Sequence, residues 1–204
     1  MSKLFAVSCE LLAMSGLLLI VNCGLGWSVP VGDVVPKGQT VFEILYSHSQ
    51  TQSTVTNGVP MRIGYGIADK VEIRGGTTIS DTPGGQSSSY LLSAKWQVST
   101  QTPENNNADV AFAVPVTYAA NSDWYSFGLL VDASKDLGQW VPYLCFGMSE
   151  TVYRDHSELT YPVYIGIDYR WTKKVEVYAH VGSSASNAGT EMPTLVEIGT
   201  EIKI

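Results

Sequence analysis

An alternation of apolar and polar residues, with a period of two, constrains the fold of this chain more than any other feature. Residues 90–98 read YLLSAKWQV, and every even position in this stretch is apolar or aromatic. Residues 110–118 and 125–133 repeat the pattern. Because successive side chains of a β-strand point to opposite faces, each stretch predicts a strand with one apolar face.

The same pattern predicts ten strands over the whole chain. Most of them span nine to eleven residues, which matches a tilted strand crossing the hydrocarbon layer of a bilayer, whereas strands of soluble proteins are shorter. Short turns alternate with longer polar links, as in outer-membrane barrels, and an even number of strands places both termini on the periplasmic side. The longer links are predicted at residues 49–58, 85–88, 150–159 and 184–194. The predicted strands cover residues 40–48, 59–67, 71–79, 89–98, 109–118, 124–134, 140–148, 161–171, 175–183 and 195–204.

The N-terminal residues have the composition of an export signal. Lys3 precedes an apolar stretch at residues 11–21, and Gly24 and Gly26 follow it, a pattern typical of a secretory signal peptide. We therefore expect three parts: a signal peptide (1–26), an N-terminal periplasmic segment (27–38) and a β-barrel domain (39–204). Removal of the signal would leave Cys145 as the single cysteine, so no intrachain disulfide is expected.

Charge and motif content exclude several classes of function. The chain has 12 basic and 19 acidic residues, for a net charge of −7, and this acidic excess argues against a nucleic-acid-binding protein. The sequence has no phosphate loop, dinucleotide fingerprint or zinc pattern. His48, His156 and His180 lie on different segments without the spacing of metal ligands. We therefore expect no cofactor and no metal.

The apolar face fixes the orientation of nine predicted strands before any charge is considered, and the charged residues of these strands then fall on the opposite face. A soluble β-sandwich would show the same alternation, so the pattern alone leaves that fold open. Two belts of aromatic residues on the apolar face favour a membrane barrel, because amphipathic rings prefer the headgroup level of a bilayer. One belt contains Tyr46, Tyr90, Tyr118 and Tyr125, and the other contains Phe42, Tyr65, Trp96 and Tyr169.

A ten-stranded barrel would enclose a narrow lumen that side chains nearly fill. Eight acidic and five basic residues are expected to face inward, including Asp109 and Lys203. If Trp171 pairs with Val175 across the turn at 172–174, Arg170 lies opposite Glu176, which predicts an ion pair. The predicted lumen-lining network consists of Glu43, Arg62, Glu72, Arg74, Lys95, Asp132, Asp168, Arg170, Glu176, His180, Glu197 and Glu201.

This network allows two interpretations. The charges could form a structural polar plug that fixes the strand register, since charges in a narrow bore must be paired or hydrated. Alternatively, the excess of carboxylates could attract cations and repel anions in a thin passage.

Several stretches resemble one family of Gram-negative outer-membrane barrels, the transporters of the phenol-degradation meta-pathway type. The similar stretches are MRIGYGIADKVEI (61–73), YLLSAKWQV (90–98), DLGQWVPYLCFGMS (136–149) and YIGIDYRWTKKVEVYAHVG (164–182). The resemblance implies a transporter-like barrel in the cell outer membrane, surrounded by lipid and inserted by the barrel-assembly machinery. Together with the lumen charges, it leads us to expect a narrow channel for small solutes or cations, the alternative being a structural or surface-exposed barrel with a plugged lumen. We expect a monomer, because a closed barrel leaves no strand edge to pair.

An enzyme is the competing class, because some small outer-membrane barrels carry hydrolases on their outer rims. The candidate residues are Asp155, His156, Ser157 and Glu158 in one predicted link, with His48 near another. Adjacent residues of an extended segment point alternately and do not form a relay of nucleophile, base and acid. We therefore expect no catalytic residues and no enzymatic activity.

Overall fold

Ten antiparallel strands form one closed barrel. The computed structural model describes residues 32–51, 53–102, 104, 107–120, 124–187 and 193–204. Each strand pairs with the next along the chain, and β1 pairs with β10 to close the barrel. The strands are β1 (Thr40–Gln50), β2 (Val55–Ala68), β3 (Val71–Thr82), β4 (Gly85–Ser99), β5 (Asp109–Ala119), β6 (Trp124–Ser134), β7 (Trp140–Val152), β8 (Ser157–Arg170), β9 (Val175–Ser186) and β10 (Thr194–Lys203). The predicted ten-stranded antiparallel barrel is confirmed.

The two faces of the barrel wall invert the distribution seen in soluble proteins. Leu92 and Ile165 point outward with 63% and 61% of their surface exposed, whereas Glu43 points inward with 0% exposed. This distribution continues around the barrel, with exposed aliphatic and aromatic residues outside and buried polar or charged residues inside. A soluble sandwich would bury the apolar face instead, so the apolar surface here is a lipid-facing one. No helix in the described part of the chain has the length and apolarity to cross a membrane.

The predicted longer links proved to be mostly strand. Val55, Gly85 and Ser157 begin strands, and Val152 and Ser186 end them, inside segments expected to be loops. The polar residues there continue the backbone ladder beyond the apolar band, because a strand end that faces water can carry polar side chains on both faces. The polar residues of these links therefore indicate where the apolar membrane band ends, and the strands continue beyond that point.

The backbone ladder is interrupted at three prolines. At each of them, the pairing with one of the two neighbouring strands lacks two consecutive residue pairs. The prolines are Pro60 in β2, Pro115 in β5 and Pro162 in β8. Proline has no N–H to donate, which explains these gaps. The register itself does not shift at these points, and the bulges occur instead at Gly66/Ala68 and Gln97/Ser99.

Part of the segment at residues 32–39, which precedes β1, is buried in the mouth of the barrel. We call residues 32–39 the strap, and we call the end of the barrel where β1 begins and β10 ends the terminal end. Val34 and Val35 in the strap are 7% and 4% exposed. The Gly32 N–H donates to Ser134 Oγ at 2.9 Å, and the Val35 N–H donates to Glu72 Oε2 at 2.7 Å. The strap therefore crosses the terminal end of the barrel from the β6 wall to the β3 wall.

Residues 1–31 lie outside the described residues. The expected signal peptide and the first part of the expected periplasmic segment fall there.

Candidate functional site in the barrel lumen

Glu43 is the centre of a buried ionic network in the lumen. Arg62 on the neighbouring strand donates from Nη1 to Glu43 Oε2 at 2.9 Å, and Arg74 Nη1 lies 3.5 Å from the same oxygen. The hydroxyl of Tyr178, on β9 beyond the neighbouring strand β10, donates to Glu43 Oε1. One carboxylate thus links β1, β2, β3 and β9 across the interior.

Arg74 carries the network toward the terminal end. Its Nε donates to Glu72 Oε1 at 3.0 Å, and its Nη1 lies 3.2 Å from Glu201 Oε2. Glu72 also accepts the N–H of Val35 from the strap. A guanidinium shared among three carboxylates is an arrangement that makes a buried cation tolerable.

Lys95 and Asp132 form a second ionic contact on the neighbouring wall. The distance from Lys95 Nζ to Asp132 Oδ2 is 3.2 Å, and both side chains are 1% exposed. Lys95 also lies directly opposite Glu72 in the β3–β4 ladder, and Asp132 lies opposite Cys145 in the β6–β7 ladder.

Arg170 lies at the terminal rim, opposite Glu176 in the register expected from the sequence. Its Nε is 3.6 Å from Glu176 Oε1, while its Nη1 makes a closer contact with Asp136 in the β6–β7 turn. Lys203 is the nearer partner of Glu176. Burial raises the pKa of Asp136, but the Arg170 hydrogen bond, the Gly138 N–H and the Arg170 charge outweigh it, so this pKa lies below its usual value.

Asp168 borders a small cavity beneath the strap. The cavity has a volume of about 80 Å³ and lies between the strap and the side chains of Asp168, Glu176 and Glu201. Asp168 is 2% exposed, and its Oδ1 accepts no hydrogen bond. The lumen at the terminal end is therefore crowded with charge around this small cavity, and a larger cavity of about 340 Å³ lies at the rim between Asp33, Asp109 and Arg170.

His180 and Glu197 form a polar pair nearer the middle of the barrel. His180 Nε2 is 2.9 Å from Glu197 Oε2, and its Nδ1 is 3.0 Å from the Tyr143 hydroxyl. The rings of Tyr143, Tyr164 and Tyr178 surround the imidazole at centroid distances of 6.2, 5.6 and 6.3 Å. Both ring nitrogens are thus occupied, and the described residues contain no group of three His, Cys, Asp or Glu arranged to hold a metal ion.

An apolar cluster lies in the lumen toward the far end. Its largest member, Trp124, is 1% exposed, as are Leu130 and Leu195, and Tyr164 is 2% exposed. Strand alternation places Leu130 and Tyr164 on the inward face, but the cluster that they form was not predicted from the sequence. The presence of apolar residues on a face that otherwise carries charge is the signal that could have revealed it. The full cluster consists of Ala113, Ala119, Trp124, Leu130, Cys145, Tyr164 and Leu195.

The candidate hydrolytic residues do not assemble into a relay. Asp155 accepts from His156 Nδ1 at 2.7 Å in an exposed turn, and this hydrogen bond lowers the pKa of Asp155. The His156 ring stacks on Tyr153 at 4.5 Å. Glu158 turns inward, is 5% exposed and accepts from the Ser186 hydroxyl. His48, on another strand, contacts Asn57.

Comparison with known proteins supports the fold and leaves the family open. No protein-family model matches the sequence, and no curated protein matches it. The resemblance to transporters of the phenol-degradation meta-pathway type therefore has no support from a family model. Among solved structures, the outer membrane protease OmpT from Escherichia coli is similar at 8% identity, over 85% of this chain and 100% of that one, with a TM-score of 0.52.

Two further barrels have comparable identity. A bacterial polysaccharide outer membrane secretin is similar at 10% identity, over 82% of this chain and 66% of that one, with a TM-score of 0.50. The KdgM porin is similar at 13% identity, over 78% and 98% of the two chains, with a TM-score of 0.44. The neighbours are outer-membrane barrels that include porins and a protease, and at these identities they show the shared architecture alone.

Proposed function

We propose that this protein is an outer-membrane β-barrel with a closed lumen, a structural or surface-exposed membrane protein and not an open pore. The observation that carries the proposal is that two layers of buried side chains lie in the described lumen. The salt-bridge layer around Glu43 and Arg74 occupies the terminal end, and the apolar cluster around Trp124 occupies the far end.

Each layer opposes the passage of ions for a different reason. The side chains of the apolar layer offer no ligands, so an ion passing them would lose part of its hydration shell without compensation from these residues. In the ionic layer the guanidinium of Arg74 is already shared by Glu43, Glu72 and Glu201. A passing ion would have to displace one of these buried partners.

The lipid-facing band and the strap support an orientation in the outer membrane. Strands that are apolar outside and polar inside are the hallmark of barrels in that membrane. Both ends of the barrel domain lie at the terminal end, so we place that end, with the strap, on the periplasmic side. In this proposal the barrel is a monomer that contacts outer-membrane lipid and is inserted by the barrel-assembly machinery.

Planar-bilayer recording of the purified full-length protein tests the closed lumen. We expect no stepwise conductance from the intact barrel, with the KdgM porin inserted in the same membranes as the positive control. Steady conductance steps that shrink in Asp168→Asn would overturn the proposal, because that substitution alters the lumen and leaves the lipid face unchanged.

A narrow passage for cations or small solutes is the second candidate. Glu158, which faces inward, adds to the eight inward carboxylates expected from the sequence, so the inward acidic excess is larger than expected. A leftover negative charge favours cations in a constriction. If conductance is seen, a reversal potential that favours potassium over chloride and weakens in Glu176→Gln would support this candidate.

We also propose that the protein is not an enzyme. This rests on the geometry of the Asp155–His156 contact, which lies in an exposed turn without a nucleophile in line. The lipid profile and the surface proteolysis of cells expressing His156→Ala should match those of cells expressing the parent protein. A difference between them would reopen the hydrolase interpretation.

A further inference from the structure

The strap is held by the barrel wall in the manner of an extended peptide ligand. Its backbone is bonded to the wall at two places: the Gly32 N–H contacts Ser134 on β6, and the N–H groups of Val35 and Gly38 contact Glu72 and, at 2.8 Å, the Gly66 carbonyl. Glu72 and Gly66 are direct partners in the β2–β3 ladder. Backbone bonding of an extended segment, combined with burial of its side chains, is one way in which proteins recognise peptides.

Gly66 provides the space for this contact. A Cβ at Gly66 would collide with the carbonyl groups of Val35 and Pro36, and these strap atoms are the nearest obstacles it would meet. The strap and β2 also form a short parallel bridge between Lys37 and Gly66. The wall is therefore shaped to the strap backbone at a point where any other residue would push the strap away.

Apart from its backbone contacts with Gly66, the strap is joined to the barrel by a turn. Gly38 has a φ of +77°, a left-handed conformation that glycine adopts without cost. At this turn the chain leaves the strap and enters β1 at Thr40. The strap can thus leave its site while all ten strands keep their pairing.

Val34 and Val35 close the cavity that Asp168 borders. They are buried only because they point into the barrel mouth, where Glu72, Glu176 and Glu201 form the floor. Without the strap, the charged groups of the terminal end would face the periplasm directly.

We propose that the terminal mouth of the barrel is a peptide-binding site, occupied here by the chain's own strap. Its ligand is an extended segment with two adjacent β-branched residues and a free backbone N–H directed at the Glu72 carboxylate. The inference rests on the proposed closed lumen, and it adds that the periplasmic closure is a separable plug. A segment of the same chemistry supplied in trans should occupy the mouth when the strap is absent.

A single thiol in the lumen reports whether the strap covers the mouth. Ser93 lies opposite Arg74 in the β3–β4 ladder, is 3% exposed, and its hydroxyl has no hydrogen-bond partner. Ser93→Cys, made in a protein whose Cys9, Cys23 and Cys145 are replaced by serine, places a small thiol near the cavity. Its reaction rate with a charged methanethiosulfonate reagent measures access from solution.

The strap is then displaced in three ways: by Gly66→Ala, by Val35→Asp, which sets a carboxylate against Glu72, and by deletion of residues 32–37. We expect each to raise the labelling rate of the reporter by at least about tenfold, because labelling requires a local opening that the strap suppresses. Gly75→Ala is the matched control, since the nearest atom to its Cβ is 3.9 Å away. Resistance to unfolding in SDS before heating checks that each variant has assembled.

A synthetic peptide of residues 32–39 should restore protection to the strap-deleted protein. The proposal is overturned if assembled Gly66→Ala and Val35→Asp label as slowly as the Gly75→Ala control, or if the peptide leaves the deletion variant as reactive as before. If the intact barrel shows no conductance and labelling does not depend on the strap, the peptide site is refuted and the closed lumen is retained. If the intact barrel conducts and labelling depends on the strap, the closed lumen is refuted and the strap is retained as a separable occupant of the mouth.

Discussion

The Lys95–Asp132 pair offers the sharpest test of the ionic layer, because the two partners have different surroundings. Asp132 faces Lys95, whereas Lys95 faces both Asp132 and, directly across the ladder, Glu72. Lys95→Met would leave the Asp132 carboxylate buried without its cation. Asp132→Asn would leave Lys95 beside the Glu72 carboxylate and would keep an oxygen that accepts a hydrogen bond.

The expected magnitudes follow from distance and burial. At 3.2 Å and an effective dielectric of about 20, the attraction between the two charges is about 5 kcal/mol. Removing one member of a buried pair costs about 3–5 kcal/mol, so Lys95→Met should lower the free energy of unfolding by that amount. Asp132→Asn should cost clearly less. The double variant Lys95→Met/Asp132→Leu, which removes both charges, should lie within about 1 kcal/mol of the parent.

Urea unfolding in phospholipid vesicles, followed by tryptophan fluorescence, measures these free energies. The interaction energy from the double-mutant cycle removes effects common to the single variants. If Asp132→Asn destabilised the barrel as much as Lys95→Met, then Glu72 would not stabilise the Lys95 charge when Asp132 is removed. If the double variant were as unstable as the sum of the single variants, the two side chains would not be energetically coupled.

Three further predictions address the lipid face, the packed lumen and the rim. Leu92→Arg should lower the free energy of unfolding in vesicles by about 2–4 kcal/mol, because it buries a charge in lipid near the middle of the membrane. Gly182→Ala should cost about 1–3 kcal/mol in the same assay, because its Cβ would collide with the Tyr164 ring. Arg170→Gln should cost less than about 1 kcal/mol at neutral pH, since this pair is one-third exposed. That difference should disappear as the pH falls through the lowered pKa of Asp136, because protonation of its carboxyl removes the pair.

Each of these predictions has a control in the same chain. Trp171→Arg, at a rim position that is 69% exposed, should cost far less than Leu92→Arg if lipid surrounds the barrel. Gly75→Ala should be neutral, because its Cβ has open space, and an equal loss in both glycine variants would remove the packing argument. A penalty for Arg170→Gln that does not shrink as the pH is lowered through the acid range until the Asp136 carboxyl is protonated would show that Asp136 is not the partner that matters.

The sequence predicted the strand count, the inward and outward faces and the β8–β9 register, because alternation fixes which way each side chain points and a short turn fixes the pairing. Arg170 and Glu176 lie opposite each other for this reason. The nearer partner of Arg170, Asp136, could not be found in this way, because it belongs to a turn two strands away along the chain. Contacts across the barrel axis depend on closure, which a local pattern does not contain.

The positions of the strap and of the apolar cluster could not be predicted from the sequence, for related reasons. Residues 32–39 have no period of two, and their place is set by Glu72 and Ser134, which are distant along the chain. Trp124 and Leu195 each occupy the first or second position of a strand, where the polar links obscured the face to which they belong. The ends of strands proved hardest to predict, because polar residues there are compatible with both ladder and loop.

The junction between β1 and β10 has a consequence for how the barrel assembles. Glu43 and Glu201 are direct partners across this junction, and two carboxylates in that position repel each other. Arg74, which contacts both, comes from β3 and reaches them through the interior. Arg62 of β2 also pairs with Glu43. The first and last strands therefore join at lower cost once β2 and β3 have supplied these guanidinium groups, so the final step of closure depends on side chains that belong to neither edge.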